Sequence, residues 1–429
     1  MVALLLAFLV APVFTDFPGG SVGGVEWLAE NHVVISVEGQ TDQDGRNRQA
    51  NWFYFRVDGY PKQELLIELS DLAGEDNGQF GTLAIDDSTP PVYSYDGIHW
   101  TRFPAVEWDA KRLRLSFRFT PEQTPFWIAN APPYTEREFG QLEAAVGANP
   151  MLRRESAGKT VEGREIPLWT ITDSATPGEG KKTIWLMFRQ DAGESGSSWV
   201  GDGAVRALLS ESEEAAGLRR AAIWKIFPMA DPDGVAHGSG RFNRKGYDLD
   251  RHWDAIDAAK EPEIAAQHGA IKAWLDAGNR IDAFLSVHTL GAEESVAGTA
   301  SCRQLVEKLN GTLAAETTFN PVRKGMRESA RTADSGQSGK KEKKSKKEKK
   351  SKSGRKSDPA PVPAVGTNEA VGQKGRMSVD QGLQAEFGIC AMRMEQMVAR
   401  NQKLGGWPTS EQRQHFGGEL VRAMAKAFE

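Results

Sequence analysis

The stretch "RQDAGESGSSW", residues 189–199, carries two carboxylates three positions apart, Asp191 and Glu194, directly after the apolar run "KTIWLMF". A glycine-containing turn at the end of a buried strand brings two such side chains together, and paired oxygens can hold a divalent cation. An ordinary solvated turn has the same composition, so the pair gains meaning only from its company. Three other stretches supply that company. "FPMADPDGVAHGSGRFNRKGYDLDRHW", residues 227–253, contains Arg241, Asp250 and Arg251; "IDAFLSVHT" ends an apolar run at His288; "CAMRMEQM" carries Arg393 and Glu395. Asp191, Glu194, His288 and Glu395 thus all fall near the ends of strand-like runs. In open α/β sheets, sites gather at the carboxyl ends of the strands.

The elements that must position these residues are of two kinds. Residues 15–132 read as strands: "NWFYFRVDG", "ELLIELSDL" and "RLRLSFRF" alternate apolar with polar positions and end in turn residues. Regular strands with no long helical pattern between them predict an N-terminal antiparallel β-sandwich. Residues 133–429 alternate helices ("EREFGQLEAAVG", "EIAAQHGAIKAWLDAG", "SCRQLVEKLNGTLAAE", "SEQRQHFGGELVRAMAKAFE") with short apolar runs such as "TIWLMF" and "IWKIFPM". That order predicts an α/β domain with a mixed central sheet. Trp52, Trp185 and Trp224 belong to strand settings and are expected in the cores. One segment fits neither domain. Residues 328–372 are Lys/Ser-rich and then Pro/Ala-rich, which predicts a disordered insertion. Its lysines offer contact with polyanions, and a solvated loop is the plainer reading.

The chain has 429 residues, enough for two or three domains, and a net charge of −5 that singles out no partner and gives no sign of a specific nucleic acid. Cys302 and Cys390 are the only cysteines; they allow one disulfide but no disulfide scaffold. Residues 1–14, "MVALLLAFLVAPVF", are apolar but too short to span a bilayer. They are similar to the apolar part of an export signal, without its basic start, so export to the periplasm or beyond is slightly favoured over the cytoplasm; a buried first strand is the other reading. No later stretch is long and apolar enough for a transmembrane helix.

Taken together, these motifs resemble the zinc metallocarboxypeptidases, in the cytosolic carboxypeptidase branch, where a β-sandwich precedes the peptidase domain. The resemblance is carried by "WFYFRV", "PPYT", the Asp191/Glu194 stretch with its Ser-Trp, "PDG", "DLDR", the late His288 and the later Glu395, in that order. It covers nearly the whole chain from about residue 15 apart from the Lys-rich insertion. The resemblance implies a Zn2+ ion, with Glu194 and His288 as ligands, and Glu395 as the general base toward water. It implies Arg241 as the group that stabilises the developing oxyanion and Arg251 as the anchor for a substrate's C-terminal carboxylate. Arg393, two residues before Glu395 and on the same side of a strand, would line the pocket for the terminal side chain and favour acidic residues; the other reading pairs it with Glu395 or Asp250.

Two positions depart from the family pattern. Asp191 stands where the first His ligand is expected, and Asp250 stands where an Asn accompanies the anchoring arginine. The tyrosine often found over the substrate has no counterpart after Tyr247. Asp can ligate zinc through oxygen, but two carboxylates and one His leave the centre neutral and weaken its Lewis acidity. Asp250 adds a negative charge where a carboxylate should bind. His237 and His252 are possible substitute ligands, with His252 expected to be structural. The expectation is therefore a metallocarboxypeptidase that removes C-terminal residues, with acidic ends as a possible preference. The alternative is a relative that binds C-terminal tails through Arg241 and Arg251 without cutting them.

Overall fold

A computed structural model describes residues 12–43, 48–76, 79–289, 294–321 and 375–429. The apolar start up to residue 11 and the Lys-rich segment 328–372 lie outside the described residues.

The N-terminal part is built from two five-stranded sheets and a small four-stranded one. Strand Tyr54–Val57 pairs with Phe126–Ala129, and strand Leu65–Ser70 pairs with Arg114–Phe119, both antiparallel. Phe53, Phe55, Ile67, Leu69, Leu115 and Phe126 fill the space between the sheets. One pair departs from the antiparallel expectation: His32–Ser36 runs parallel to Leu65–Ser70. The chain between them passes through strands of the other two sheets, a connection long enough to return it in the same direction. The described end of the apolar start forms strand Val13–Phe14, paired with Val57 and Arg56.

The second part is a seven-stranded mixed sheet. Its strand order is Leu152–Lys159, Glu165–Ile171, Ala222–Phe227, Lys182–Phe188, Ala283–His288, Ala391–Glu395, Ser295–Gly298. The four central members are parallel and the flanking pairs antiparallel. Alternation along each central strand divides the apolar side chains between two cores. Ile184, Leu186, Phe188, Leu285 and Val287 pack against helices Ser195–Leu209 and Ser410–Lys426. Trp185, Met187 and Phe284 face helices Pro262–Asp276 and Val379–Phe387. Strands covered on both faces read as near-continuous apolar runs, which is why "IWLMF" and "AFLSV" are apolar apart from Ser286. Trp52, Trp185 and Trp224 are all buried, as expected. Cys302 and Cys390 are joined, with their Cα atoms 4.9 Å apart.

The two helices on the first face touch backbone to backbone. A Cβ on Gly203 would lie 1.8 Å from the Gln414 carbonyl oxygen, and one on Gly417 would lie 2.1 Å from that of Val200. This approach sets the N-terminus of helix Ser410–Lys426 beside that of helix Ser195–Leu209. Gly417→Ala should therefore force the helices apart and cost about 1–3 kcal/mol, the usual range for overpacking. Denaturant unfolding measures this; an unchanged midpoint would contradict the close contact.

Candidate functional site

Register explains the site. Phe188 pairs with Val287 and His288 with Glu395, so three neighbouring parallel strands end at one level. The turn after Phe188 adds Asp191 and Glu194 at that level. Arg189 shapes the turn: it adopts a left-handed backbone (φ 58°), and its buried guanidinium donates to the carbonyls of Ala192 (2.7 Å) and Tyr134 (3.1 Å) and to Ser198 Oγ (3.1 Å). Burial lowers the Arg189 pKa to about 10, so the side chain remains a cation under the loop. Ser197 Oγ accepts from the Arg189 N–H and donates to the Val287 carbonyl, tying the turn to the next strand. Gly193 donates its N–H to the Gly240 carbonyl at 2.9 Å, and a Cβ there would lie 2.6 Å from that oxygen.

Asp191, Glu194 and His288 are buried, and each offers a ligand atom within 4.8 Å of the others. His288 Nδ1 lies 3.2 Å from Glu194 Oε2 and 3.4 Å from Asp191 Oδ2. Both Asp191 oxygens, Glu194 Oε1 and His288 Nδ1 are buried without a hydrogen-bond partner. Such orphaned atoms are costly in a dry interior unless an ion satisfies them, so the donor set fits a divalent cation. The mixture of oxygens and one imidazole nitrogen suits zinc in a three-ligand site. Outer partners orient the set. The Thr289 N–H donates to Glu194 Oε2 at 3.0 Å. His288 Nε2 lies 2.8 Å from Ser286 Oγ, which donates to Gln190 Oε1; Gln190 Nε2 in turn donates to the Leu249 carbonyl at 2.7 Å. With Ser286 donating onward, Nε2 carries the hydrogen and Nδ1 faces the carboxylates. Burial and Arg393 both push the His288 pKa down, but Glu194 and Asp191 outweigh them and raise it to about 10.

Around this centre lies a ring of charge. Arg241 Nε donates to Asp248 Oδ2 at 2.8 Å, and its Nη1 is 3.6 Å from Asp191 Oδ2. Burial opposes the Arg241 charge, but Asp191 and Asp248 raise its pKa above the ordinary value. The backbone N–H groups of Gly240, Arg241 and Phe242 all donate to Gln40 Oε1 of the N-terminal part. Asp250 is fully buried; its Oδ2 accepts from Arg251 Nη1 at 2.6 Å and from Arg393 Nη1. Burial would raise the Asp250 pKa, but Arg393 and Arg251 hold it below the usual range. Arg393 Nε also donates to Glu395 Oε1 at 2.8 Å, leaving Glu395 Oε2 buried and unpaired.

The structure thus gathers Asp191, Glu194, His288, Arg241, Asp250, Arg251, Arg393 and Glu395 at one sheet end. The pairing of Arg393 with both Glu395 and Asp250 is the structural one of its two readings. His237 and His252 are not substitute ligands: they bond to Glu162 and Glu261 and stand outside the metal-ligand group. Sequence reasoning missed Ser286, Gln190, Asp248 and Gln40. Ser286 left a trace, as a polar residue two before His288 in an apolar strand. Gln40 left none, because its role depends on how the two parts meet.

Residues 141–293 match the family model described as zinc carboxypeptidase, and residues 13–130 match that of the cytosolic carboxypeptidase N-terminal domain. The chain is 27% identical to mouse cytosolic carboxypeptidase 6 over 290 residues, 63% of this chain and 52% of that protein. It spans between about half and three-fifths of the length of the first curated relatives it matches. A metallo-carboxypeptidase from Burkholderia cenocepacia shares its fold, with a TM-score of 0.73, 22% identity, and coverage of 98% of this chain and 99% of that one. A metallo-carboxypeptidase from Pseudomonas aeruginosa, in complex with (2-guanidinoethylmercapto)succinic acid, does so with a TM-score of 0.73 at 20% identity, covering 97% and 98%. No helix among the described residues is long and apolar enough to cross a membrane. The expectation of export is overturned, because the N-terminal match and the curated relatives from mouse, human and worm all carry the cytosolic name. An apolar start is ambiguous in sequence, since strand and signal core share a composition.

The outer partners give a direct check. Ser286→Ala removes the group that fixes the His288 tautomer and should weaken zinc binding about 10- to 100-fold, the range for lost outer-shell partners. Zinc binding to wild type at neutral pH should release about one proton, because the imidazolium must give up its Nδ1 proton. Calorimetry in buffers of different ionisation enthalpy reads both. No released proton would contradict the raised His288 pKa, and unchanged affinity in Ser286→Ala would contradict the role of Ser286 in aiming the ring.

Proposed function

Since the chain belongs to the zinc carboxypeptidase family, with the N-terminal domain of its cytosolic branch, we propose that it hydrolyses the C-terminal peptide bond of peptides or proteins in the cytosol. The observation that carries this reading is the buried trio Asp191, Glu194 and His288, whose inward-facing atoms lack partners, with Glu395 on the strand directly beside His288. Zinc held by these three would supply Lewis acidity at the scissile carbonyl.

The chain's own groups do the rest. Glu395 Oε2, free and buried, takes the proton of the attacking water, while Arg393 on Oε1 fixes the carboxylate. Arg241, aimed by Asp248 and by the Gln40-bound turn, donates to the oxyanion as charge develops. Arg251 anchors the substrate carboxylate and must share itself with Asp250. An acidic side-chain preference through Arg393 draws little support, because that guanidinium is already bonded to two carboxylates.

A charge count sharpens the role of Asp250. Zinc balances Asp191 and Glu194, Arg241 balances Asp248, and Arg251 with Arg393 balances Asp250 and Glu395. An incoming carboxylate then meets no spare positive charge. Asp250→Asn should lower KM for free-acid peptides about tenfold, equal to about 1.4 kcal/mol, with kcat little changed. A KM that stays or rises would contradict the count.

The second reading, tail binding without cleavage, is favoured by Asp191, which leaves the centre neutral and engages Arg241 at 3.6 Å. Release of C-terminal residues from a peptide library separates the two. Turnover by wild type that falls by about 10²–10⁴ in Glu395→Gln, with zinc retained, supports the peptidase. Absence of turnover in zinc-loaded wild type, with activity appearing in Asp191→His, would sink it in favour of tail binding.

A further inference from the structure

Next to the metal-binding turn lies a second cavity that none of the assigned roles uses. It is lined by Gly193, Ser195 and Gly196 of the turn and the helix after it, by Thr289, by Arg102 and Asn130 of the N-terminal part, and by Ser410 and Arg413. Two helices begin at its wall, Ser195–Leu209 and Ser410–Lys426, of 15 and 17 residues. The first has no side-chain cap and no acidic residue in its first turn, whereas the second is closed by a Thr409–Gln412 capping box and carries Glu411, so only the first start is open. Helix N-termini carry partial positive charge and free N–H groups, which suit an anion.

The side chains add to that field. Arg413 is 8% exposed; two of its nitrogens donate to Gln396 Oε1 and the Met397 carbonyl. Its Nε and Cδ lie against Gly196, where a Cβ would come within 2.8 Å of Nε. Arg102 is half-buried and donates one nitrogen to the Pro90 carbonyl. Among the described residues, neither arginine has a carboxylate within ion-pair distance, although Glu294 and Glu194 contribute to the field at Arg413. Burial, and for Arg102 also the nearness of Arg413, lowers each pKa to about 10, so both remain charged at neutral pH. Ser195 Oγ, on a residue 1% exposed, has no hydrogen-bond partner. Buried like charges without counter-ions, beside an unpaired hydroxyl, call for an anion. Asn130 Oδ1, on the same wall, is also unpartnered, which leaves room for a donor on the ligand.

We propose that this cavity is an oxyanion site, separate from the Arg251 anchor, built by Arg102, Arg413, Ser195 and the start of helix Ser195–Leu209. Carboxylate and phosphate share the chemistry it recognises. Its occupant is either an acidic side chain of a peptide held in the neighbouring centre or a free inorganic oxyanion. The first source rests on the peptidase reading; the site itself does not.

The test uses the full chain stripped of metal by a chelator, with inorganic phosphate as the probe in calorimetry. Phosphate should bind in the millimolar range or tighter, and Arg102→Gln should weaken it about tenfold, as loss of a charge-assisted contact does. Ser195→Ala, nearly isosteric, should weaken it several-fold, and Arg251→Gln should leave it unchanged. Thermal melting checks that each variant is folded. Competition between phosphate and a glutamate-rich peptide, but not its glutamine counterpart, assigns the site to the peptide; binding of phosphate without such competition assigns it to a free oxyanion. No phosphate binding, or binding that survives Arg102→Gln and Ser195→Ala or is lost in Arg251→Gln, overturns the proposal. Because the protein is metal-free, a failure of the peptidase reading leaves this result untouched.

Discussion

Buried negative charge at the end of a parallel sheet is the constraint on which the rest of the structure depends. Asp191, Glu194, Asp248 and Asp250 are each at most 5% exposed. Carboxylates in a dry site repel one another and are expensive to desolvate, so the fold must surround them with cations. It does so with Arg241 on Asp248, Arg251 on Asp250, Arg393 on both Asp250 and Glu395, and with Arg189 beneath the turn. What stays unneutralised is the inner face of Asp191, Glu194 and His288, which a divalent cation would balance. Parallel strand register brings the three together, and the Gln40 and Gly240 contacts make the N-terminal part a support of the site rather than an appendage.

Asp at position 191 changes the character of this centre more than its geometry. An aspartate oxygen reaches a zinc-sized ion at about the distance an imidazole nitrogen does, yet it removes one unit of positive charge from the centre. Arg241 lies near enough to return part of that charge, which couples metal binding to the group assigned to oxyanion stabilisation. Asp250 has a parallel effect at Arg251, the proposed carboxylate anchor, because it already occupies Arg251 and Arg393. Both substitutions shift the site toward neutrality, and both act through arginines that a more usual arrangement would leave freer.

Much of this was legible in the sequence because it depends on short-range pattern. Apolar runs ending in Phe188, His288 and near Glu395 located three strand ends, and chain order with the resemblance assigned their residues. Alternation in "NWFYFRVDG" and "RLRLSFRF" located the strands of the N-terminal part, and caps and periodicity located the helices. The rest depends on contacts between distant segments. Nothing local distinguishes Gln40 from any surface glutamine, and only folding brings it to the 240–242 turn. The closure of Arg393 onto Asp250, 143 residues away in sequence, is one of two roles the sequence allows that arginine, and only the fold brings the two side chains together. The cationic cavity draws on Arg102, Ser195 and Arg413, which share no sequence motif. The apolar N-terminus misled on location: its composition favoured export, and the cytosolic names of the relatives contradict that.

The central claim is that Asp191 completes a metal centre with Glu194 and His288. Elemental mass spectrometry on protein purified without added metal or a metal-binding tag, with Asp191→Ala beside wild type, tests it most directly. The account predicts about one zinc per wild-type chain, lost in Asp191→Ala. Wild type that holds no zinc even after dialysis against it, or Asp191→Ala that keeps a full complement, would contradict it.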